Sequence, residues 1–223
     1  MATYGEISRT LQQEAGDQEK PGYLGALMDP KYKIATWVCI LMAICVQATG
    51  INAINIYSTE IYKMIQESSS SGKGISPPVG SAINNSFQAV ACLVSPFVSY
   101  FSFRTIINIG FLLLAILMTV VAVLAYFEEK NALIFFMACF LAVFQLTHGT
   151  YSWVYLGQVA CDEGLSIATF VLWTFAMLLS IYTGKMFDKM TSTGVFSFFA
   201  VCCYISWICF TIILRETKGL SRD

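Results

Sequence analysis

Two carboxamide side chains lie deep inside apolar sequence. Gln47 and Asn52 fall within the run from Ile34 to Ile61, which is long enough to cross a bilayer with a hydrocarbon core of about 30 Å. Lipid offers an amide no hydrogen bond at that depth, so both must face protein or a wet cavity. On a regular helix the two side chains would point about 140° apart. We therefore expect them to share a face only if Gly50, which lies between them, loosens the helix.

Two interpretations of these amides stay open at the level of residue types. They can bind a polar solute, or they can join neighbouring helices through hydrogen bonds that contribute about 0.6–2 kcal/mol each. The single histidine, His148, also lies in apolar sequence. We expect it to be a hydrogen-bonded core residue rather than a ligand.

Composition points to a membrane protein. Of 223 residues, 57% are hydrophobic and 12% are charged, whereas soluble domains carry about 25% charged residues. The net charge of −1 argues against a nucleic-acid partner. The eight cysteines show no C-x-x-C spacing, so we expect no metal and no cofactor. No G-x-S-x-G motif, phosphate loop or pair of carboxylates within a span is present, so we expect no catalytic residues and no enzyme.

Six apolar runs predict an all-α integral membrane fold with six transmembrane helices. The runs cover residues 34–61, 81–101, 105–127, 133–160, 165–187 and 194–214. This division leaves a polar tail at residues 1–33, a transmembrane domain at 34–214 and a short polar tail at 215–223. No acidic or basic residue lies in the middle of a run, and such residues usually mark ion or proton pathways. The chain is therefore a poor candidate for proton coupling by itself.

The stretch around Gln47 resembles the seventh helix of the sugar porters, a branch of the major facilitator superfamily. The family pattern is Gln-Gln-x-x-Gly-Ile-Asn-Ala, and it is matched in order by Gln47, Gly50, Ile51, Asn52 and Ala53. Val46 stands at the first glutamine of the pattern. The resemblance implies that Gln47 and Asn52 occupy sugar-contacting positions.

The resemblance continues along nearly the whole chain after about Tyr23, but it covers only the carboxyl-terminal half of a twelve-helix family. Asn85 falls on the sugar-contacting asparagine of the eighth helix. Gln145 takes the place of a glutamate in the tenth helix, and Trp153 takes the place of its tryptophan. The resemblance therefore implies a vestigial substrate-binding set of Gln47, Asn52, Asn85, Gln145 and Trp153.

Several motifs of the family are missing. Its tenth helix is rich in glycine and proline, but residues 147–152 keep only Gly149. Because proline breaks the helical ladder, its loss predicts a stiffer and more continuous helix. Gln158, Val159 and Ala160 replace a Glu-x-Phe turn of the inner gate, and acids stand in the following linker where the family has arginine.

Sugar porters rock two six-helix halves around a shared site, so one half alone is not expected to transport. We favour a transport-inactive accessory or structural subunit of a larger membrane assembly. Its partners would be other membrane-protein subunits, with lipids in the exposed cleft. The alternative is a half-size hexose transporter that works as a homodimer or with a separate amino-terminal half, and a sugar is a partner only in that case. A sensor or a drifting gene fragment is the third hypothesis.

The favoured hypothesis also suggests a location. We expect an integral protein of a bioenergetic organelle membrane, such as the mitochondrial inner membrane, with the plasma membrane as the next choice. Under this hypothesis Gln47→Ala or Asn52→Ala would affect assembly or stability and no transport phenotype would follow.

Overall fold

The computed structural model describes residues 21–55, 63 and 77–214, and these residues are helical apart from short connections. The helices are α1 (Tyr23–Met28), α2 (Lys33–Ala48), α3 (Pro77–Val98), α4 (Phe103–Tyr126), α5 (Lys130–Phe144), α6 (Thr150–Val159), α7 (Asp162–Lys189) and α8 (Ser192–Ile213). Helix α2 resumes as residues 51–55, and a π-helical turn (Gln145–Gly149) joins α5 to α6. No strand occurs in the described ranges. The predicted all-α membrane fold is confirmed.

Within the described part of the chain, five helical segments are long and apolar enough to cross a membrane. They are Lys33–Asn55, Phe103–Tyr126, Ala132–Val159, Asp162–Lys189 and Ser192–Ile213. These segments correspond to five of the six predicted runs. The remaining run, 81–101, corresponds to α3, whose 22 residues give it sufficient length. Helix α3 is less apolar because it carries serine, asparagine and glutamine side chains along its length.

The described helices pack around an aromatic and aliphatic core. Helix α4 packs along α8, α2 packs along α7, and α5 contacts both α3 and α4. The buried side chains of α4 recur every three or four residues, which is the spacing of one helical face. Phe111 of α4 stacks on Phe210 of α8 with ring centroids 5.4 Å apart. This core fixes the helices that carry the polar residues.

Helix α1 lies in the segment that the sequence predicts as a polar tail. It packs against α2 and α7, with Ala26 buried and Leu24 and Met28 exposed. The packed part of the protein therefore reaches upstream at least to Tyr23. Residues 1–20 and 215–223 of the two predicted tails, and residues 56–61 of the first run, lie outside the described residues.

Candidate functional site

Helix α2 breaks at the glycine of the family-like motif. It ends at Ala48, and Gly50 has a φ of +84°, after which residues 51–55 are helical again. This left-handed conformation is unfavourable for residues with a side chain. A Cβ atom on Gly50 would also lie 2.7 Å from Cγ of Phe199. Glycine therefore permits both the turn and the close approach of α8.

The break brings the two amides into contact. Nδ2 of Asn52 donates a hydrogen bond to Oε1 of Gln47. A regular helix would have separated these side chains by about 140°, so the loosening at Gly50 that the sequence analysis required is present. The bond uses one donor of Asn52 and one acceptor of Gln47. The carbonyl oxygen of Asn52 and the amide hydrogens of Gln47 keep their capacity to bind a ligand.

A cavity of about 250 Å³ lies beside this pair and is bordered by α2, α3, the π-helical turn, α6 and α7. The lining includes four of the five residues in the predicted set, namely Gln47, Asn52, Gln145 and Trp153. Further polar or aromatic lining comes from Asn55, Gln88, His148, Ser152, Phe144 and Trp173. None of the described lining residues carries a full charge at neutral pH. The site is therefore suited to a neutral, polar ligand.

The fifth residue of the predicted set, Asn85, is exposed and does not line this cavity. Helix α3 contributes Gln88 instead. The neighbouring Asn84 is buried, and its amide makes no hydrogen bond within the described part of the chain. Gln88 is four residues from Asn84 and three residues from Asn85, and both spacings bring side chains to the same side of a helix. Helical spacing therefore does not distinguish Gln88 from Asn85, and the orientation of α3 in the packed structure decides which one lines the cavity.

Gln145 opens the π-helical turn, whose hydrogen bonds span one more residue than those of an α-helix. Helical residues follow one another without a gap from Ala132 to Val159, but five of them are π-helical rather than α-helical. The widened turn inside that span was not predicted. A Cβ atom on Gly149 would lie 2.6 Å from Oε1 of Gln145. The glutamine amide therefore lies over the space that Gly149 leaves open, at the edge of the cavity.

Side-chain hydroxyls occupy the stretch where the family has prolines. Thr147 donates to the carbonyl oxygen of Val143 at 2.7 Å. The hydroxyl hydrogen of Thr150 can be donated to Oγ of Ser95 at 3.1 Å or to the carbonyl oxygen of Gln145 at 3.2 Å. The hydroxyl of Tyr151 donates to the carbonyl oxygen of the same serine. Two consecutive residues thus tie the widened turn to α3.

His148 is buried in the core, as the sequence analysis expected, but it also borders the cavity. Its Nδ1 lies 3.2 Å from Oγ of Ser152, and its ring centroid lies 3.9 Å from that of Phe111. Nε2 has no hydrogen-bond partner within the described residues. Packing and one hydrogen bond therefore hold this ring in place.

At the opposite end of α6, the residues that replace the family's gate have a local structural role. Helix α6 ends at Val159, and Asp162 and Glu163 lie in the first turn of α7. Acidic side chains in a first turn stabilise the positive end of the helix dipole. A Cβ atom on Gly164 would lie 2.6 Å from Oγ1 of Thr36, so α7 approaches α2 closely at this end.

An uncharged cavity with converging amides, set between membrane-spanning helices, is the kind of site found in carriers of polar solutes. Residues 4–223 match the sugar (and other) transporter family, so the chain belongs to that family. The resemblance to sugar porters that the motifs indicated is confirmed. The relatives support an integral membrane location and leave the particular membrane undetermined.

Several curated relatives are similar over most of this chain. It is 26% identical to the arabinose-proton symporter of Bacillus subtilis (strain 168) over 92% of this chain and 45% of that protein. It is 27% identical to the rat solute carrier family 2, facilitated glucose transporter member 2, over 96% of this chain and 42% of that protein. It is 24% identical to the facilitated trehalose transporter Tret1 of Bombyx mori over 96% of this chain and 44% of that protein. The chain thus spans less than half the length of these relatives, all of which are named as transporters.

Proposed function

We propose that this chain supplies one wall of a binding site for a neutral sugar and acts together with a second six-helix body. The observation that carries this proposal is the uncharged cavity, whose five lining amides include Gln47, Asn52, Gln88 and Gln145. An amide both donates and accepts hydrogen bonds, and each sugar hydroxyl needs both. These four side chains come from α2, α3 and the π-helical turn, so they can form hydrogen bonds with hydroxyls on different edges of one sugar ring.

Two tryptophans complete the chemistry of the wall. Trp153 and Trp173 border the cavity but are 42% and 62% exposed. A tryptophan offers a broad apolar surface and one N–H donor, which suits the mixed apolar and polar faces of a sugar. Their exposure supports a cleft that a second body closes. In transporters of this architecture the site lies at the interface between repeats.

The exposed face of α7 supports the same arrangement. Phe170, Trp173, Met177 and Ile181 are more than half exposed and lie at the spacing of one helical face. Because Trp173 belongs both to this stripe and to the cavity, a helix packed against the stripe would also cover the site.

A second candidate function is the transport-inactive accessory subunit. Two observations support it: hydroxyl bonds from Thr150 and Tyr151 to Ser95 tie the tenth-helix equivalent to α3, and acids such as Asp162 stand where the resemblance implies a gate arginine. Under this proposal the amides stabilise helix packing within a larger assembly, for which a bioenergetic membrane remains the proposed setting. We propose no catalytic role under either function.

Equilibrium sugar binding by the reconstituted chain separates the two candidates. Arabinose, glucose and trehalose would be titrated while the fluorescence of the cavity tryptophans is followed. We expect saturable binding of at least one of them. Asn52→Ala should weaken that binding about ten-fold, because it removes one contact and leaves the buried Gln47 amide without its partner.

Asn85→Ala is the matched comparison. It makes the same chemical change on an exposed residue that does not border the cavity, so binding should stay unchanged. A loss equal to that of Asn52→Ala would extend the site along α3 and support the role implied by the resemblance. A folded protein that binds none of the sugars and purifies in a stoichiometric membrane complex would support the accessory subunit instead.

A further inference from the structure

A second cavity, of about 460 Å³, opens between α4 and α8 and shares no lining residue with the sugar-site candidate. It is a groove on the outside of the helix pair, since its wall residues Val123, Tyr126 and Val201 are 48%, 71% and 56% exposed. The surrounding surface of a membrane-spanning helix pair faces lipid. The natural occupant of such a groove is therefore a component of the bilayer.

The shape of the groove selects a flat occupant. The groove extends from Thr119 to Phe127 on α4 and from Thr193 to Tyr204 on α8, which is about 12–16 Å at 1.5 Å per residue. The buried members of its lining, Ala122 and Ala200, have small side chains, and Tyr126, Phe127 and Tyr204 add aromatic rings. A long slot with small buried residues and aromatic neighbours is suited to a flat, fused ring system.

The polar groups of the groove are hydroxyls, and none of its described lining residues is charged. Tyr126 and Thr193 lie near the ends of their helices, at one end of the groove. At the other end, the hydroxyl of Tyr204 lies 3.5 Å from Oγ1 of Thr119, which donates its own hydrogen to the carbonyl oxygen of Ala115 at 2.8 Å. Both ends can therefore hydrogen-bond a neutral group.

The charges next to the groove disfavour an anionic lipid headgroup. Glu128, Glu129 and Lys130 follow the groove directly in the sequence, so this connection carries a formal net charge of −1. A net negative charge next to the groove does not favour a phosphate. A lipid whose headgroup is a single hydroxyl has no charge to be repelled.

The sequence of the α4–α5 connection gives an independent indication. Val123, Tyr126 and Lys130 follow the spacing L/V-x₁₋₅-Y-x₁₋₅-K/R, a weak pattern that has been associated with sterol contact. In this structure the first two of those residues line the groove. We propose that the groove binds a sterol, with the sterol hydroxyl at Tyr126 and Thr193 and the ring system along Ala122 and Ala200.

The test uses the purified chain in phosphatidylcholine vesicles that contain a photoactivatable cholesterol with a diazirine group. After illumination, the labelled residues are mapped by mass spectrometry. We expect labelling to concentrate on the groove residues of α4 and α8 and to be competed by unlabelled cholesterol. Labelling spread evenly over the lipid-facing helices would overturn the proposal.

Two variants test the site itself. Ser197 is an exposed groove residue, so Ser197→Phe should fill the slot and abolish groove labelling. Tyr126→Phe removes only a hydroxyl and should weaken labelling about five-fold, as expected for one hydrogen bond. Tyr182→Phe makes the same change on an exposed tyrosine of α7 and should have no effect.

Each result decides the proposal. Unchanged groove labelling in a folded Ser197→Phe protein contradicts it, and if that variant fails to fold, unchanged labelling in Tyr126→Phe does so. The last experiment compares the sterol probe with a phospholipid probe that carries a diazirine on its acyl chain. If that probe labels the groove more strongly than the sterol probe, the occupant is an acyl chain and the sterol proposal is wrong. The sugar-binding proposal does not depend on any of these outcomes.

Discussion

Around Gly50 the helix α2 is interrupted for two residues, whereas around Gln145 the span of α5 and α6 widens over five residues without a gap in its helical structure. Both irregular stretches border the same cavity, and each places an amide beside it. The first depends on a left-handed glycine held against the ring of Phe199. The second depends on hydrogen bonds from flexible side chains such as Thr150.

The two stretches differ in whether the side chain next to the glycine can move. An aromatic ring packed in the core has no room to withdraw, so the geometry at Gly50 is fixed by sterics. The space beside Gly149 is occupied by the amide group at the end of the Gln145 side chain, and that side chain can rotate. The break in α2 therefore holds its part of the site in a fixed geometry, whereas the π-helical turn carries one side chain whose position can change.

The largest effect is expected from Gly50→Ala. The new side chain meets Phe199 and imposes a left-handed conformation on a non-glycine residue. These contributions cost about 1–2 kcal/mol for the backbone and about 1–3 kcal/mol for overpacking. We expect a loss of about 3 kcal/mol in the free energy of unfolding, measured by denaturant titration of the protein in detergent micelles.

Gly157→Ala is the matched control for that measurement. No heavy atom lies within 4 Å of a Cβ atom built on Gly157, and this glycine lies inside α6. Its substitution should be neutral or stabilising by up to about 1 kcal/mol, because alanine favours helix. Equal stability of the two variants would mean that α2 does not need the break at residue 50.

Part of the difference between the stretches around Gly50 and Gln145 can be predicted from the sequence. The spacing of Gln47 and Asn52 shows that a regular helix cannot bring them together, so a glycine between them predicts a local distortion. The family pattern also indicates Gln145 and Trp153, which the structure places at the cavity. In these cases a residue type at a fixed spacing is enough to indicate the residue and its position, and no knowledge of distant contacts is needed.

The remaining features depend on contacts that the sequence does not display. The π-helical turn differs from an α-helix by one residue per hydrogen-bonded ring, and its tie to Ser95 of α3 joins residues 55 positions apart. The choice of Gln88 over Asn85 depends on the rotation of α3 about its axis, which packing sets. Helix α1 is not predicted because its six residues form only a short apolar stretch in a polar tail, and so short a helix is stabilised mainly by docking onto α2 and α7.

An intermediate effect is expected from Gly149→Ala. The added methyl group displaces the amide of Gln145 but meets no rigid group nearer than that side chain. Stability should change by less than about 1 kcal/mol, since helix propensity improves while one contact is lost. If the proposed sugar site is correct, affinity should fall about five-fold, as expected for one displaced hydrogen bond.

Two readouts distinguish the explanations for that variant. Denaturant unfolding reports whether Gln145 can move aside, and sugar titration reports whether its position matters for binding. A stability loss as large as that of Gly50→Ala would show that the π-helical turn is as rigid as the break in α2. Unchanged affinity with unchanged stability would remove Gln145 from the site and leave the contrast between the two stretches intact.

The smallest effect is expected from Tyr151→Phe. The variant removes the hydroxyl that bonds to the carbonyl oxygen of Ser95 and keeps the ring, which lies 6.0 Å from the ring of Phe103. Hydrogen bonds between membrane helices contribute about 0.6 kcal/mol on average and at most about 1.7 kcal/mol. We expect a loss in that range on denaturant unfolding, with Tyr182→Phe as the exposed control.

Combining Tyr151→Phe with Thr150→Val asks whether the two ties to Ser95 act together. Both removed hydroxyls bond to the same residue of α3, so neighbouring effects need not add. If the double variant loses more than the two single losses combined, each tie supports the π-helical turn when the other is gone, and the turn is held as a unit. Additive losses would mean that the two hydrogen bonds act independently and that the turn is not held as a unit by them.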